Sequence, residues 1–321
     1  MTTHSRWTLD EGAFPAAGSW GDKARFLLRY AVLAPSTQNT QPWLFSVRGA
    51  TIDVYADPER WLHVTDRDHR ELQISVGCAL ENLLIAAERF GLSHRTELVP
   101  DRFDPDLLAS VTLEAGGAPS PARAPELFGA ITRRATNREP YRDEPVPEEL
   151  LERLRASTED GVQLVLTGDA EARAWVEMLI EATDERQLAD PLWRDQMAWL
   201  HAAGVLDEER AAFRCDARTF ATAPLLGLVI SLDDEPATRV RAGQVFERIH
   251  LTATALGLAL QPVSQLLELG PAKEALGNVL GLGASVPQQP FRLGFGPPPG
   301  APEPRRPVEE VLMVREPVVP A

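Results

Sequence analysis

The sequence predicts an α+β protein built from two similar units in one chain. Three observations lead there. The first is an internal repeat: Gly77-Cys-Ala-Leu-Glu81, Ala87 and Gly91-Leu92 align without gaps on Gly243-Gln-Val-Phe-Glu247, Ala253 and Gly257-Leu258, always 166 residues apart. The second is a mixture of helix-period and strand-period segments in both halves. The third is a Gly/Pro/Ala-rich break over residues 115–125 that separates them. A length of 321 residues suits two domain-sized units. Two such units in one chain form a covalently joined version of the commonest symmetric dimer.

The elements follow in order. Residues 20–34 carry Phe26, Leu27, Tyr30, Ala31 and Ala34 at helical spacing, and Pro35 ends that helix. Trp43 to Val47 and Thr51 to Tyr55 read as a hairpin turning at Arg48-Gly49-Ala50. A long apolar-rich helix spans 71–92, with Gly91 as its C-cap. Leu107 to Leu113 reads as a helix end and then a strand. After the break, Glu126 to Arg134 is helical, and Glu144-Pro-Val-Pro-Glu-Glu149 opens another helix with Pro147 in its first turn. Val162 to Thr167 is a strand. Residues 169–220 are mostly helical, with Trp175, Trp193, Met197 and Trp199 among many charges. Pro224 to Leu232 is a strand, Gln244 to Leu256 a helix closed at Gly257, and Phe291 to Phe295 a strand before a proline-rich tail.

Composition removes several function classes. Lysine and arginine number 32 against 47 acidic residues, a formal net charge of −15. That balance argues against nucleic-acid binding, which needs a basic face, while leaving room for one small basic pocket. The longest apolar run, Leu225 to Ile230, is strand-sized and far from the ~18 residues of a membrane span. Met1 to Asp10 has no basic start followed by an apolar core, so no signal peptide is expected. Two cysteines, Cys78 and Cys215, fit a reducing cytoplasm and are too few for a disulfide scaffold.

The sharpest motif is Ala34-Pro-Ser-Thr-Gln-Asn-Thr-Gln-Pro-Trp43, between a helix and a strand. Its prolines keep the segment extended or turned, and Ser36, Thr37 and Asn39 are compact hydrogen-bonding groups. This string resembles the Pro-Ser-x-x-Asn-x-Gln-Pro-Trp loop of the FMN-dependent nitroreductase-like superfamily. The second half adds to the resemblance through Arg133-Arg-Ala-Thr-Asn-Arg138 with the Glu144 helix start, Thr222 to Ile230, Ala242 to Leu258, and Arg305-Arg-Pro-Val-Glu-Glu-Val311. It covers most of the chain outside 1–20 and 185–220, and is similar to the duplicated Acg-type branch. The implied fold is nitroreductase-like: two pseudo-symmetric units that mimic the family homodimer, each a mostly antiparallel sheet with long helices at the pseudo-dimer interface. The expected units are 21–118 and 119–321, after an N-terminal extension over 1–20. A helical, lid-like insertion covers about 185–220.

The resemblance also implies a site. FMN is the expected cofactor and NAD(P)H an expected electron donor. Pro35, Ser36, Thr37 and Asn39 would lie along the flavin ring and ribityl chain. Arg134, Thr136 and Arg138 would hold phosphate, ribityl and the pyrimidine edge, with Arg305 as the closing phosphate arginine. A phosphate in an acidic protein needs such forked, permanently charged donors. Pro262-Val263-Ser264-Gln265 would pass the flavin N5, with a backbone N–H near Ser264 or Gln265 donating to it. Three departures matter. The first half lacks the arginine motif, and the second has Ala156-Ser-Thr-Glu-Asp-Gly161 in place of the Pro-Ser-Asn loop, so one FMN per chain is expected. Glu303 stands where the family often has a second basic residue, which weakens the phosphate site or moves the partner to Arg306. Residues 264–265 are not the family's common acidic-plus-glycine pair.

Other candidates carry less. His63-Val-Thr-Asp-Arg-Asp-His69 has a faintly metal-like look, but Asp66 or Asp68 reads better as the cap of the next helix, and no zinc spacing is present. Gly294-Phe-Gly296 runs into three prolines, which forbid a dinucleotide-binding helix. Cys78 reads as a small core residue and Cys215, near Arg214 and Arg218, as a bystander. The implied activity is two-electron hydride transfer from a reductant to an electron-poor small molecule, without an assigned side-chain acid or base. The alternative is a protein that stores or sequesters FMN beneath the insertion. No metal, nucleic acid or membrane is expected, and further pairing of chains is left open.

Overall fold

The computed structural model describes residues 7–159, 161–205, 217–300 and 302–313. The first unit runs α1 (Trp20–Ala31), β1 (Trp43–Arg48), β2 (Thr51–Ala56), α2 (Arg70–Arg89), β3 (Leu92–Leu98) and β4 (Leu107–Ala115). A short α3 (Glu126–Ile131) leads into α4 (Glu148–Arg155), β5 (Val162–Thr167), α5 (Ala170–Ala189), α6 (Pro191–Ala202) and α7 (Ala217–Ala221). Then come β6 (Leu225–Ser231), α8 (Pro236–Ala255), β7 (Ala259–Pro262), α9 (Gln265–Glu268), α10 (Gly270–Val279), β8 (Val286–Gly294) and α11 (Val308–Val311). Among the described residues, no helix is long and apolar enough to cross a membrane.

Two four-stranded sheets have the same order, β1-β2-β4-β3 and β5-β6-β8-β7, with antiparallel neighbours throughout. Their central pairs even share a register shift, at Val54/Tyr55 and at Val229/Ile230. The duplication seen in the sequence is therefore a duplication of topology.

The units meet along α2 and α8, both buried over most of their length. A helix that is buried on nearly all sides belongs in a core. The repeat supplies the crossing point. A Cβ on Gly77 would lie 2.1 Å from the carbonyl oxygen of Val240, and one on Gly243 would lie 2.1 Å from that of Ile74. Residues 74 and 240, like 77 and 243, are repeat partners, so the contact is reciprocal, as an isologous interface requires. The end of the chain returns to the first unit: Met313 N donates to Phe45 O at 2.7 Å beside a parallel bridge from Leu312 to Phe45.

Several elements differ from the sequence reading. Leu107–Ala115 is strand throughout, with no helix end, because both β2 and β3 pair along it. β3 was not expected; its Ser93, His94, Arg95 and Glu97 hide an edge strand whose pattern only pairing with β4 defines. α8 starts eight residues earlier than expected, with Pro236 in its first turn, where a missing N–H costs nothing. β8 begins at Val286 although it contains Pro287 and Pro290. The register shift lies beside Pro287, where a missing donor is tolerated, and Pro290 O accepts from Val263 N at 2.9 Å.

Candidate functional site

The loop after α1 is held in an uncommon shape. Gln38, Asn39 and Gln41 all have positive φ, near 50°, although none is glycine. Such conformations cost free energy and persist only where surroundings impose them. Here Ser36 Oγ accepts from Gln41 N at 2.9 Å, and Thr40 Oγ1 donates to Thr37 O at 2.9 Å. Further restraints come from the other unit. Arg305 Nη1 donates to Asn39 Oδ1 at 2.8 Å, Asn39 Nδ2 donates to Pro304 O at 3.2 Å, and Arg306 N donates to Gln41 Oε1 at 2.7 Å. A first-unit loop is thus clamped by the closing segment of the second unit.

That loop forms one wall of a cleft of about 120 Å³ at the seam between the units. Across from it, Thr136 and Arg138 lie on a segment tied to β7 by Asn137 N donating to Leu260 O at 3.1 Å. His250, whose pKa burial pushes well below its usual value, sits behind this segment with Nε2 3.3 Å from Ala135 O. Gln261 is fixed by Arg292 Nε at 2.7 Å, and Ser264 by Gln289 Nε2 at 3.3 Å. The floor comes from both crossing helices, as Ile74, Ser75 and Cys78 of α2 and Phe246 of α8.

Nine of the twelve expected site residues line this one cleft: Pro35, Ser36, Thr37, Asn39, Thr136, Arg138, Pro262, Ser264 and Gln265. Three do not. Val263 points into the second unit's core with Leu226, Leu228 and Leu266. Arg134 is buried, donates to Leu33 O at 3.2 Å and faces Glu247 Oε1 at 3.8 Å. Arg305 is buried against Asn39, and the Trp7 ring covers both arginines, 5.9 Å from Arg134 and 5.0 Å from Arg305. Arg306 does not take the place left by Glu303; it pairs with Asp57 at 3.0 Å.

Sequence reasoning missed the floor. Residues 74, 75 and 78 share one helical face, but an apolar helix has many such stripes, and only the crossing with α8 shows which one stays open. Cys78 is at once a core residue and part of the lining; burial raises its thiol pKa well above the usual range. Beneath Thr37 lies the fully buried Glu71, hydrogen-bonded to the Thr37 side chain and paired with Arg70 at 2.9 Å. Burial raises the pKa of Glu71 and, with Glu71 adding to it, that of Asp66 to about 7. Asp66 accepts from Glu71 N at 2.8 Å and Leu72 N at 2.9 Å, the capping role expected of it. His63 and His69 pack on Trp61 at 4.3 and 4.1 Å.

Among the described residues, the helical insertion meets the cleft lining at Glu268 and the first unit beside it. Gln187 of α5 donates to Glu268, and Gln196 of α6 accepts from Val64 N at 2.8 Å across the seam. Of its aromatics, Trp193 is buried and Trp199 half exposed, as is Trp175 in α5 before it. Cys215 and the 206–216 part of the insertion lie outside the described residues.

The cleft's chemistry fits a flavin mononucleotide. Pro35, Ile74, Phe246 and Pro262 offer apolar surface for a flat ring. Ser36, Thr37, Thr136 and Ser264 offer hydroxyls for a polyol and a pyrimidine edge, and Arg138 offers a guanidinium for phosphate. No protein-family model matches the chain. It is 30% identical over 317 residues to the Mycobacterium tuberculosis H37Rv protein named "Putative NAD(P)H nitroreductase Rv3131", covering 91% of each chain. It is 27% identical over 322 residues to the similarly named acg of the same organism, covering 92% of this chain and 96% of that one. Among solved structures, it matches the FMN-dependent nitroreductase NfnB from Mycobacterium smegmatis in complex with NADPH at 17% identity and TM-score 0.39, over 56% of this chain and 95% of that one. With a relative this similar along nine-tenths of both sequences, and with two like sheets joined through a repeated helix pair, the chain belongs to the nitroreductase family, in the branch that contains acg.

Proposed function

We propose that this chain binds one FMN in the seam cleft and passes electrons from NAD(P)H to an electron-poor small molecule, such as a nitroarene or a quinone. One observation carries the reading: expected flavin-site residues from distant parts of the chain converge on a single cleft. When bound, FMN supplies two-electron hydride transfer at N5, and the protein supplies position and electrostatics. Pro35 and Pro262 bracket the ring, Ser36, Thr37 and Thr136 take its polar edges and side chain, and backbone around Ser264 and Gln265 faces N5. Arg138 takes the phosphate. The test is the visible spectrum of the purified protein, with the released flavin identified, followed by anaerobic reduction with NADH or NADPH and reoxidation by a nitroarene or quinone. A colourless protein that takes up no flavin sinks the proposal.

The stoichiometry follows from broken symmetry. Repeat partners of Ser75 and Cys78 in the cleft floor are Arg241 and Gln244. Arg241 Nε reaches Glu159 at 3.4 Å, Arg248 reaches the same carboxylate at 2.8 Å, and Gln244 donates to Glu81 at 3.0 Å. Bulky paired groups thus occupy the counterpart position. Released flavin is expected to approach one per chain; two per chain would contradict this asymmetry.

Asn39→Ala removes the two bonds that the Asn39 side chain makes to the closing segment, leaving those of Gln41. A loss of about 1–2 kcal/mol in flavin affinity is expected, with little change in melting temperature, since a loop residue adds little core. Equal affinity in the variant, measured by flavin fluorescence titration, would take the clamp out of the site.

A storage role is the second reading, and the bond from Gln187 of the insertion to Glu268 in the cleft lining favours it. It predicts bound flavin that NAD(P)H reduces only slowly. Shortening α6 around Trp193 to Trp199 is then expected to speed reduction per bound flavin, read by stopped flow.

A further inference from the structure

We propose that Glu303 determines which flavin the cleft accepts: by holding Arg138, it narrows the affinity gap between FMN and its dephosphorylated form, riboflavin. The inference rests on the flavin reading above. The charged side chains lining the cleft, among the described residues, are Arg138, Glu268 and Glu303, two carboxylates and one guanidinium. Arg138 is thus the only arginine or lysine there for a phosphate, and its Nη1 lies 2.9 Å from Glu303 Oε1. The pair is open to solvent, with 31% of the Arg138 and 19% of the Glu303 side chain exposed. Arg134 and Arg305 are only 2% and 0% exposed, lie outside the cleft lining, and face Leu33 O, Glu247 and Asn39.

Glu303 is built into this position. Trp7 Nε1 donates to its carbonyl oxygen at 2.9 Å, and its Oε2 lies 3.7 Å from Arg305 Nη1. A phosphate dianion entering the cleft must therefore take Arg138 from a carboxylate. One charge-assisted pair replaces another, so the net gain is small. The displaced carboxylate also stays in the same cleft, where like charges repel. Riboflavin ends in a hydroxyl and meets neither cost. The ring and ribityl contacts lie elsewhere and are common to both ligands.

The test is the pair of dissociation constants, FMN and riboflavin, for the wild type, Glu303→Gln and Arg138→Ala, by fluorescence titration. Wild type is expected to bind the two within about tenfold. Glu303→Gln, which keeps shape and loses charge, is expected to tighten FMN roughly tenfold or more and leave riboflavin within about twofold. Arg138→Ala is expected to bind FMN more weakly than riboflavin. An unchanged FMN-to-riboflavin ratio in Glu303→Gln overturns the inference, as does a wild type that already prefers FMN more than about a hundredfold. Should Glu303→Gln fold poorly, Glu303→Ala carries the same comparison. Thermal melts with inorganic phosphate separate this inference from the flavin reading. Phosphate that stabilises Glu303→Gln and not the wild type supports the role of Glu303 even if no flavin binds. Absence of both flavin binding and a phosphate effect overturns both.

Discussion

Glu81→Gln is expected to cost this chain about 3–5 kcal/mol, while Glu247→Gln, at the repeat-related position, is expected to raise its stability above pH 7. Both carboxyls are fully buried between the units. Glu81 accepts from Arg123 at 2.7 and 3.1 Å and from Gln244 at 3.0 Å, and pairs with Arg248 at 3.0 Å. Burial works against its charge, but Arg123 and Arg248 outweigh it and hold the pKa down to about 2. A glutamine there leaves two buried guanidinium groups without their shared counter-ion. Glu247 has Arg134 3.8 Å away, with the Asn82 side chain and Arg305 also favouring its charge, but burial wins and pushes its pKa up to about 7.

The signs with pH are opposite. Folded Glu247 keeps its proton where the unfolded chain has lost it, so its contribution is fully present below about pH 4.5 and is lost as pH rises through about 7. Glu81 contributes stability above about pH 4.5, which is lost as pH falls toward about 2. Removing the Glu247 charge is therefore expected to recover up to about 3 kcal/mol at pH 8 and almost nothing at pH 4. Urea midpoints of both variants at the two pH values check this. A Glu247→Gln protein no more stable than wild type at pH 8 would mean that Arg134 compensates the buried charge in full.

Gly77→Ala and Gly243→Ala are each expected to destabilise by about 3 kcal/mol. An alanine normally favours a helix over glycine by about 1 kcal/mol. Here the new methyl meets a backbone carbonyl at 2.1 Å, and backbone cannot rotate aside as a side-chain tip can. The helices must part, which opens the packing along the whole seam. Because Ile74, Ser75, Cys78 and Phe246 flank the crossing and floor the cleft, flavin affinity should fall with stability. Gly129→Ala in α3 is the control: a Cβ there meets nothing within 4 Å, so a neutral or slightly stabilising effect is expected. Equal melting temperatures for Gly77→Ala and Gly129→Ala would show that the helices do not cross so closely.

Much of the architecture was legible because it is written in local chemistry. A constant spacing between two glycine-bearing helices marked the duplication, and Gly77 and Gly243 prove to be its point of contact. The Pro35–Trp43 loop could be singled out because prolines and short polar side chains restrict a backbone wherever they stand. β3 was hidden, since an edge strand with alternating charges has no distinctive pattern until a neighbour pairs with it. The largest gap concerns charge. The family resemblance gathered Arg134, Arg138 and Arg305 around one flavin, yet of the three only Arg138 lines the cleft, and Glu303 already holds it. Sequence reasoning also had no means of separating Glu81 from Glu247, which occupy the same place in the repeat. Residue type and spacing alone determined the two units, their repeated helix and the loop. Which arginine faces a ligand and which glutamate keeps its charge were decided by tertiary structure, because burial and ion pairing depend on distances between residues far apart in the chain.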